Sequence, residues 1–258
     1  MKSKVILISI DGMRPDGFLA CGHPFIHDMM AHSMYTLSAS SMQPSVTLPC
    51  HMSMFTSVPP ERHGTVTNTY TPPVRPVKGL CEQIHDAGGR CAMFYGWEPM
   101  RDIARPGSMI RTEYLWCYAR ESADTELTAR ALACLREDAP DFLFLYLVDT
   151  DDKGGHDCGW MSEAYLSRIR TAIECVKNVL ELAGEDYTVI VTADHGGHDR
   201  THGTTMPEDM TIPMFFIGKP FEPAKQFDGG SLLDLAPTIA AVMGVLPVYD
   251  WEGNNLAR

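Results

Sequence analysis

The sequence of 258 residues has no apolar segment long enough to cross a bilayer and no C-x-x-C pair. A membrane helix needs about 20 consecutive apolar residues, so we expect no membrane partner. The eight cysteines are scattered, several within apolar stretches such as GRCAMFY (89–95). Disulfide scaffolds are usually shorter and richer in loops, so we expect reduced and mostly buried thiols.

Basic residues are scarce as well. Lysine and arginine number 21 against 33 aspartates and glutamates, which gives a formal net charge of −12. A surface that binds nucleic acid needs clustered Lys and Arg, so we expect no nucleic acid polymer as a partner. A small phosphorylated substrate is compatible with this charge, because bound divalent cations reverse the local field. The oligomeric state leaves no signature in the sequence.

The sequence also lacks repeats, low-complexity tracts and long linkers. Its length suits one sizeable core, so we predict a single domain over residues 1–258. The first residues, MKSKVILISIDG, carry two lysines before an apolar run. That run is short, ends in Asp and is followed by no small-residue cleavage site, so we expect no secretion signal and a cytoplasmic location.

Five short apolar runs have the character of strands buried on both faces. They are KVILISI (4–10), RCAMFY (90–95), DFLFLYLV (141–148), YTVIVTA (187–193) and IPMFFIG (212–218). Between and after them, apolar residues at three- and four-residue spacing predict helices over 125–138, 161–184 and 231–244. Continuous apolar strands that alternate with helices are typical of an α/β fold. We predict a mainly parallel central sheet with helices on both faces.

Acidic residues follow three of these strands. Asp11 ends the first, Asp149 follows the third with Asp151 and Asp152 just beyond, and Asp194 ends the fourth. Singly, each is equally well explained as a turn residue. In a parallel sheet, however, the carboxyl ends of the strands share one edge, where uncompensated acids would repel one another. Together they predict bound cations.

Histidines accompany the acids. TADHGGHDRTHG (192–203) holds three histidines beside two aspartates, and DTDDKGGHDCGW (149–160) sets Asp152 and His156 four residues apart across two glycines. Mixed Asp and His ligands suit zinc, with manganese and iron as alternatives. The candidates are too many for one four-coordinate ion and about enough for a pair of ions.

A hydroxyl group is expected close to these ligands. Thr47 precedes Leu48 and Pro49 in a stretch that predicts a helix, and proline is favoured in a first helical turn. Thr47 would then lie in the N-cap region, at the positive end of the helix dipole. Alone it is a plain capping threonine. Beside a metal its hydroxyl would become a nucleophile.

The ordered set of motifs resembles the alkaline phosphatase superfamily, and within it the nucleotide pyrophosphatase/phosphodiesterase (type I phosphodiesterase) branch. The resemblance covers residues 5 to about 245. It rests on SIDGMRPD, Thr47 with Pro and His at two-residue steps, PPERHGTVTN, the D-x-x-G-H of DKGGH, ADHG, and a later HG before IPMFFIG.

The resemblance implies a site for two zinc ions. One would be bound by Asp11, Thr47, Asp194 and His195, and the other by Asp152, His156 and His202. His198 is the alternative to His202. Thr47 would be the catalytic nucleophile, and Asn68 would donate to a non-bridging oxygen of phosphate. His51 and His63 are expected to pack rather than to bind metal, and Tyr95, Trp97 and Trp160 to pack in the core or at the rim.

The implied activity is hydrolysis of phosphate diesters. Leu48 follows Thr47 where phosphatases of the superfamily carry a phosphate-clamping arginine, and a neutral Asn68 suits a phosphoryl group of lower charge. Phosphonate hydrolysis and phosphomonoester hydrolysis are the alternatives. A sulfatase is disfavoured, since Cys50 in CHMSM lacks the proline and arginine used to form formylglycine. A metal-binding scaffold without catalysis is the hypothesis from a different class.

Overall fold

The centre of the fold is one eight-stranded sheet, seen in a computed structural model that describes Met1 and residues 3–257. Its strands, in chain order, are β1 (Lys4–Ile10), β2 (Ser33–Ser40), β3 (Cys91–Tyr95), β4 (Met109–Tyr114), β5 (Phe142–Leu147), β6 (Tyr187–Thr192), β7 (Thr211–Ile217) and β8 (Lys225–Gln226). Their order across the sheet is β4-β3-β5-β1-β6-β7-β2-β8. All five apolar runs of the sequence analysis thus form strands, as predicted.

Most of the sheet is parallel, as predicted. β1 pairs in parallel with β5 and with β6, and β3 pairs in parallel with β4 and β5. All residues of β3, β5 and β6 are buried, and only Lys4 of β1 is partly exposed. Such strands have continuously apolar sequences because helices cover both of their faces.

β7 departs from the parallel arrangement. It runs antiparallel to both β6 and β2. The chain between β6 and β7 contains only one short helix, α8 (Pro207–Met210), and no long crossover helix. A parallel neighbour would need a crossover of a dozen or more residues, usually helical, whereas an antiparallel one follows from a simple return of the chain.

The helices form two layers. In chain order they are α1 (Pro15–Ala20), α2 (Phe25–Ala31), α3 (Thr47–Thr56), α4 (Pro60–His63), α5 (Leu80–Asp86), α6 (Ala123–Glu137), α7 (Glu163–Ala183), the short α8, and α9 (Leu235–Met243). α7 packs against α1, α2 and α6, and α3, α5 and α9 pack against one another. Among the described residues, no helix is both long enough and apolar enough to span a bilayer.

The burial of the cysteines agrees with the prediction. All eight are free, and only Cys158 is exposed. The other seven are buried, where they pack as small apolar side chains.

Candidate metal centre

Three neighbouring strands carry the acids of the site at their carboxyl ends. β1 lies between β5 and β6 in the sheet. Asp11 follows β1, Asp151 lies four residues beyond β5, and Asp194 follows β6 after one residue. All three carboxylates are buried, and they meet at one edge of the sheet.

Each of these carboxylates has one oxygen that accepts no hydrogen bond. Asp194 Oδ1 accepts from the backbone N–H groups of Gly12 (3.2 Å) and His195 (2.9 Å), while its Oδ2 is unpartnered. Asp11 Oδ2 accepts from the hydroxyl of Tyr146, while its Oδ1 is unpartnered. Asp151 Oδ1 is also buried without a partner. A buried oxygen without a donor is costly, and a cation would remove that cost.

Three imidazoles turn Nε2 toward these oxygens, because a backbone carbonyl holds Nδ1 of each. Nδ1 of His156, His195 and His202 lies 3.0, 2.7 and 2.8 Å from the backbone carbonyls of Arg200, Gly196 and Ser45, respectively. A carbonyl only accepts, so each Nδ1 carries the proton and each Nε2 is a free electron-pair donor. A second hydrogen bond of this kind fixes the tautomer of metal-binding histidines.

The free atoms form two groups of three. One comprises Asp11, Asp194 and His195, and the other comprises Asp151, His195 and His202; in each group the potential ligand atoms lie within 4.8 Å of one another. His195 belongs to both, and its ring stacks on that of His202 with centroids 3.9 Å apart. The donor set of carboxylates and imidazoles fits a divalent cation such as zinc.

The pKa shifts of the three acids also favour a bound cation. Burial, with repulsion from Asp194 and Asp151, raises the pKa of Asp11 well above its ordinary value. Burial raises the pKa of Asp151 to about 6 although His195 and His156 oppose the shift. Burial also acts on Asp194, but the imidazoles of His195 and His51 hold its pKa below the ordinary value. Crowded carboxylates of this kind need a positive charge among them.

The loop after β5 places Asp151 in the site where the sequence predicts Asp152. Residues Thr150–His156 form a π-helical turn, in which hydrogen bonds join residues five apart. Asp151 and His156 therefore share a face, with Asp151 Oδ2 3.4 Å from His156 Nε2. Asp152 lines the adjoining cleft, but its carboxylate belongs to neither ligand group among the described residues.

His202, rather than its alternative His198, has its ring in the site. Its Nε2 lies 3.8 Å from Asp151 Oδ1, and burial lowers its pKa to about 3. His198 Nδ1 instead lies 2.7 Å from Oδ1 of the buried Asp209. The other oxygen of Asp209 accepts from the backbone and hydroxyl of Thr204 at 2.9 and 2.8 Å. His198 thus braces the loop that carries His202.

Thr47 lies beside these groups at the start of α3. Its Oγ1 is 3.2 Å from His195 Nε2, and the residue is 5% exposed. Thr47 is the first helical residue and Val46 is the N-cap, which places the threonine one position later than predicted. The hydroxyl still lies at the positive end of the helix dipole.

Asn68 approaches the same end of α3. Its Oδ1 accepts from the backbone N–H of Leu48 at 3.0 Å, and the residue lines the cleft above Asp11 and Thr47. Because Oδ1 is occupied as an acceptor, the Nδ2 group remains a donor for a ligand in the cleft.

His51, Trp160 and Tyr95 pack as predicted. His51 is fully buried beneath Thr47, with Nδ1 2.8 Å from the carbonyl of Thr47 and Nε2 3.0 Å from the hydroxyl of Ser9. Trp160 and Tyr95 are both buried. Trp97 lines the cleft instead.

Tyr146 is a site residue that the sequence analysis did not single out. It lies on β5, and its hydroxyl binds the oxygen of Asp11 that faces away from the ligand group. The available signal was its position: it carries the one hydroxyl within the apolar run FLFLYL (142–147), next to the strand that ends at Asp11.

Comparisons with known proteins agree with this architecture. The model of the type I phosphodiesterase/nucleotide pyrophosphatase family matches residues 5–116, and that of the metalloenzyme superfamily matches residues 87–247. The 2,3-bisphosphoglycerate-independent phosphoglycerate mutase of Clostridioides difficile is 33% identical over 146 residues, which are 53% of this chain and 28% of the mutase. The chain thus spans only about a quarter of the curated relatives that it matches.

Solved structures share the fold over almost the whole chain. Murine ectonucleotide pyrophosphatase/phosphodiesterase 5, an inactive threonine-to-alanine variant in complex with AMP, superposes with a TM-score of 0.80 at 15% identity over 98% of this chain and 97% of that one. A 2-O GAG sulfatase gives 0.78 at 15% identity, over 99% and 73%. With the second family model matching well over half of its residues, this chain belongs to the metalloenzyme superfamily.

Proposed function

We propose that this chain is a metal-dependent hydrolase of phosphate diesters that uses Thr47 as its nucleophile. The observation that supports this most is the convergence of three free carboxylate oxygens and the Nε2 atoms of His195 and His202 beside the Thr47 hydroxyl. Structural packing gives no reason to gather so many unpaired acceptors in a buried place.

Two zinc ions fit the number and type of donors. In this proposal Asp11, Asp194, His195 and Thr47 hold one ion, and Asp151, His156 and His202 hold the other. Manganese and iron are the alternatives. The bound ions would neutralise the acids and the transferring phosphoryl group, and would lower the pKa of the threonine hydroxyl.

The protein groups then have defined tasks. Thr47 Oγ1 gives up its proton to solvent and attacks phosphorus in line with the leaving oxygen. A P–Oγ1 bond forms as the bond to the leaving oxygen breaks, and that oxygen departs with the electron pair and takes a proton from solvent. Asn68 Nδ2 donates to a non-bridging oxygen, held in place by the bond between its Oδ1 and Leu48 N–H. Water then attacks phosphorus and breaks the P–Oγ1 bond, which releases a phosphate monoester and restores Thr47.

The relatives support phosphoryl chemistry. Changing a threonine to alanine accompanies inactivity in the murine ectonucleotide pyrophosphatase/phosphodiesterase, which was solved with AMP. The bacterial relatives are named as phosphoglycerate mutases, which also transfer a phosphoryl group. Phosphonate or phosphomonoester hydrolysis by the same site remains the alternative, and a silent metal-binding scaffold is the hypothesis from another class.

Replacing Thr47 tests the proposal. Thr47→Ala should lower kcat for an aryl phosphodiester by about a thousandfold or more, because the variant has no nucleophile. Its metal content, measured by atomic emission, should stay within a factor of two of the wild type, since the remaining donors are intact. Thr47→Ser is the matched control and should keep measurable turnover. Wild-type activity in Thr47→Ala would rule out the covalent step, and no turnover by the zinc-loaded wild type would favour the scaffold.

A further inference from the structure

The turn that carries Asp151 and His156 is anchored at the point where the chain leaves β5. Val148 and Asp149, the two residues after this strand, are buried, so their backbone N–H groups need acceptors. Both groups donate to the carboxylate of Asp124. Val148 N–H binds Oδ1 at 2.8 Å, and Asp149 N–H lies 3.3 Å from Oδ1 and 3.2 Å from Oδ2. One side chain thus holds the two peptide units that precede the π-helical turn.

Asp124 is itself fixed by α6. It is the second residue of this helix and is fully buried, and its backbone carbonyl accepts from the hydroxyl of Thr128 at 2.7 Å. An acidic side chain in the first turn is favoured by the helix dipole. α6 also packs against β5. The carboxylate therefore ties the start of the turn to a regular helix that lies on the sheet.

Lys153 makes a second link between the turn and the start of α6. Its Nζ donates to Asp149 Oδ1 at 2.6 Å and to the backbone carbonyl of Glu121 at 3.3 Å. Burial, with repulsion from Asp149, raises the pKa of Asp124 to about 8, whereas the two N–H groups and Lys153 act against this shift. These contacts therefore offset part of the cost of burying two acids side by side.

Asp124 acts at a distance from the ligand atoms. Among the described residues that line the cleft or form the two ligand groups, Asp124 is absent. Asp151, however, lies only two residues beyond the anchored Asp149, and His156 ends the same turn. The 3.4 Å approach of Asp151 Oδ2 to His156 Nε2 depends on the path of this backbone.

We infer that Asp124 is a positioning residue of the metal centre, and that it fixes the backbone from which Asp151 and His156 project. This inference rests on the proposed function, in which these two residues bind the same ion. The acids proposed for the other ion, Asp11 and Asp194, follow β1 and β6 instead. A change at Asp124 should therefore affect one ion much more than the other.

Asp124→Ala removes the acceptor and tests the inference through zinc affinity. We expect the affinity for one of two ions to fall by about 10- to 100-fold, the usual effect of losing a group that orients a metal ligand. The other ion should bind with nearly the affinity of the wild type. Both affinities are measured by competition with chelating dyes.

The matched control is Asp234→Ala. Asp234 is a buried acid just before α9, and its two oxygens accept from the backbone N–H groups of Ser231 at 2.9 Å and Asn254 at 2.7 Å. Its removal also takes an acceptor from two backbone N–H groups, but it neither lines the cleft nor belongs to a ligand group. Asp234→Ala should lose stability and still bind both ions with the affinity of the wild type.

Hydrogen exchange gives a second readout that needs no metal. In chelator, the amides of residues 148–156 should exchange at least about tenfold faster in Asp124→Ala than in the wild type, because two N–H groups lose their acceptor. Asp234→Ala should leave exchange in this segment unchanged. Asp124→Asn keeps Oδ1 as an acceptor and loses only the contact of Oδ2, so its loss of affinity should be smaller, about two- to fivefold.

The outcomes separate this inference from the proposed function. Unchanged affinity for both ions in Asp124→Ala, or in Asp124→Asn should the alanine variant not fold, would overturn the role of Asp124 and leave hydrolysis at Thr47 standing. An equal loss in Asp234→Ala would also overturn it, since the effect would then be one of general stability. A wild-type protein that binds no zinc would refute the metal centre itself, and the inference with it.

Discussion

Among single residues, Tyr146 decides which oxygen of Asp11 is free. Its hydroxyl occupies Oδ2 and leaves Oδ1 for the ligand group. Tyr146→Phe should therefore weaken metal binding by about 10- to 100-fold, the usual effect of removing a group that orients a ligand. The dissociation constant of zinc is measured by competition with a chelating dye.

The control for this change is Tyr187→Phe. Tyr187 is also buried and donates to a backbone carbonyl, that of Pro140 at 2.9 Å, and it lies at the opposite end of β6 from Asp194. The Tyr187→Phe variant should bind zinc with the affinity of the wild type. Equal affinity in the two variants would show that Tyr146 only fills space.

Asp151 and Asp152 are adjacent, and they give a sharp comparison. If the proposed site holds two ions, Asp151→Asn, which removes a charge from a ligand group, should abolish binding of one of them, whereas Asp152→Asn should keep both. Metal stoichiometry of the purified variants is the measurement. The opposite result would restore the assignment predicted from the sequence.

This pair also marks how far sequence reasoning reached in the site. Asp11, Thr47, Asp194 and His195 lie together because strand ends and a helix start fix their positions, and His202 joins them from the loop after β6. In the glycine-containing loop after β5, the order of residues does not indicate which side chain faces the site. A π-helical turn changes the spacing of residues on one face from four to five, and this change is invisible in the residue types.

At the level of elements, prediction succeeded where burial is complete. β1, β3, β5 and β6 lie inside the sheet and have continuously apolar sequences. The sequence analysis did not predict three strands, namely β2, β4 and β8. β4 is an edge strand in which more and less exposed residues alternate, and β2 (SMYTLSAS) contains four serines and threonines. Strands with a partly solvated face are hard to distinguish from loops by apolar content alone.

α3 is joined to the loop after α4 by a buried histidine. His63 Nδ1 accepts from the backbone N–H of Thr65 at 3.2 Å, so Nε2 carries the proton and lies 3.0 Å from the hydroxyl of Ser53. Burial lowers the pKa of His63 to about 4. The neutral ring of His63 is therefore the form that makes both hydrogen bonds in the folded protein.

This histidine predicts a loss of stability in acid. Because the folded-state pKa lies below the unfolded value, the folded protein binds fewer protons, and stability present above pH 6.5 is lost as the pH falls toward 4. The loss attributable to His63 should be about 3 kcal/mol. It is measured as the difference in free energy of unfolding between wild type and His63→Asn in chelator at several pH values. A difference that does not change with pH would contradict the role assigned to the ring.

At the level of the whole molecule, the crowded acids make stability depend on bound metal. Zinc at about 100 times the dissociation constant of a site should add about 2.7 kcal/mol to the free energy of unfolding for each ion that the folded protein binds. For a chain of this size that raises the melting temperature by several degrees, measured by calorimetry with and without chelator.

Asp11→Asn is the matched variant for this measurement. It keeps an oxygen to accept from the hydroxyl of Tyr146 but removes the carboxylate whose charged form is opposed by burial and by Asp194 and Asp151. Without metal it should melt above the wild type, because no disfavoured buried charge remains at this position, and zinc should raise its melting temperature much less. If the variant melts below the wild type without metal, then repulsion among the buried acids does not destabilise the folded protein.

Trp160 connects the three chain segments that build the site. Its Nε1 donates to the carbonyl of Gly12 at 2.9 Å, and a side chain at Gly155 or Gly197 would overlap its ring. The rings of His156 and His202 lie 5.3 and 6.0 Å away by centroid. The indole is thus a built-in optical reporter: its emission should respond when either neighbouring imidazole is protonated or occupied, and loading of the pocket can be followed without any added dye.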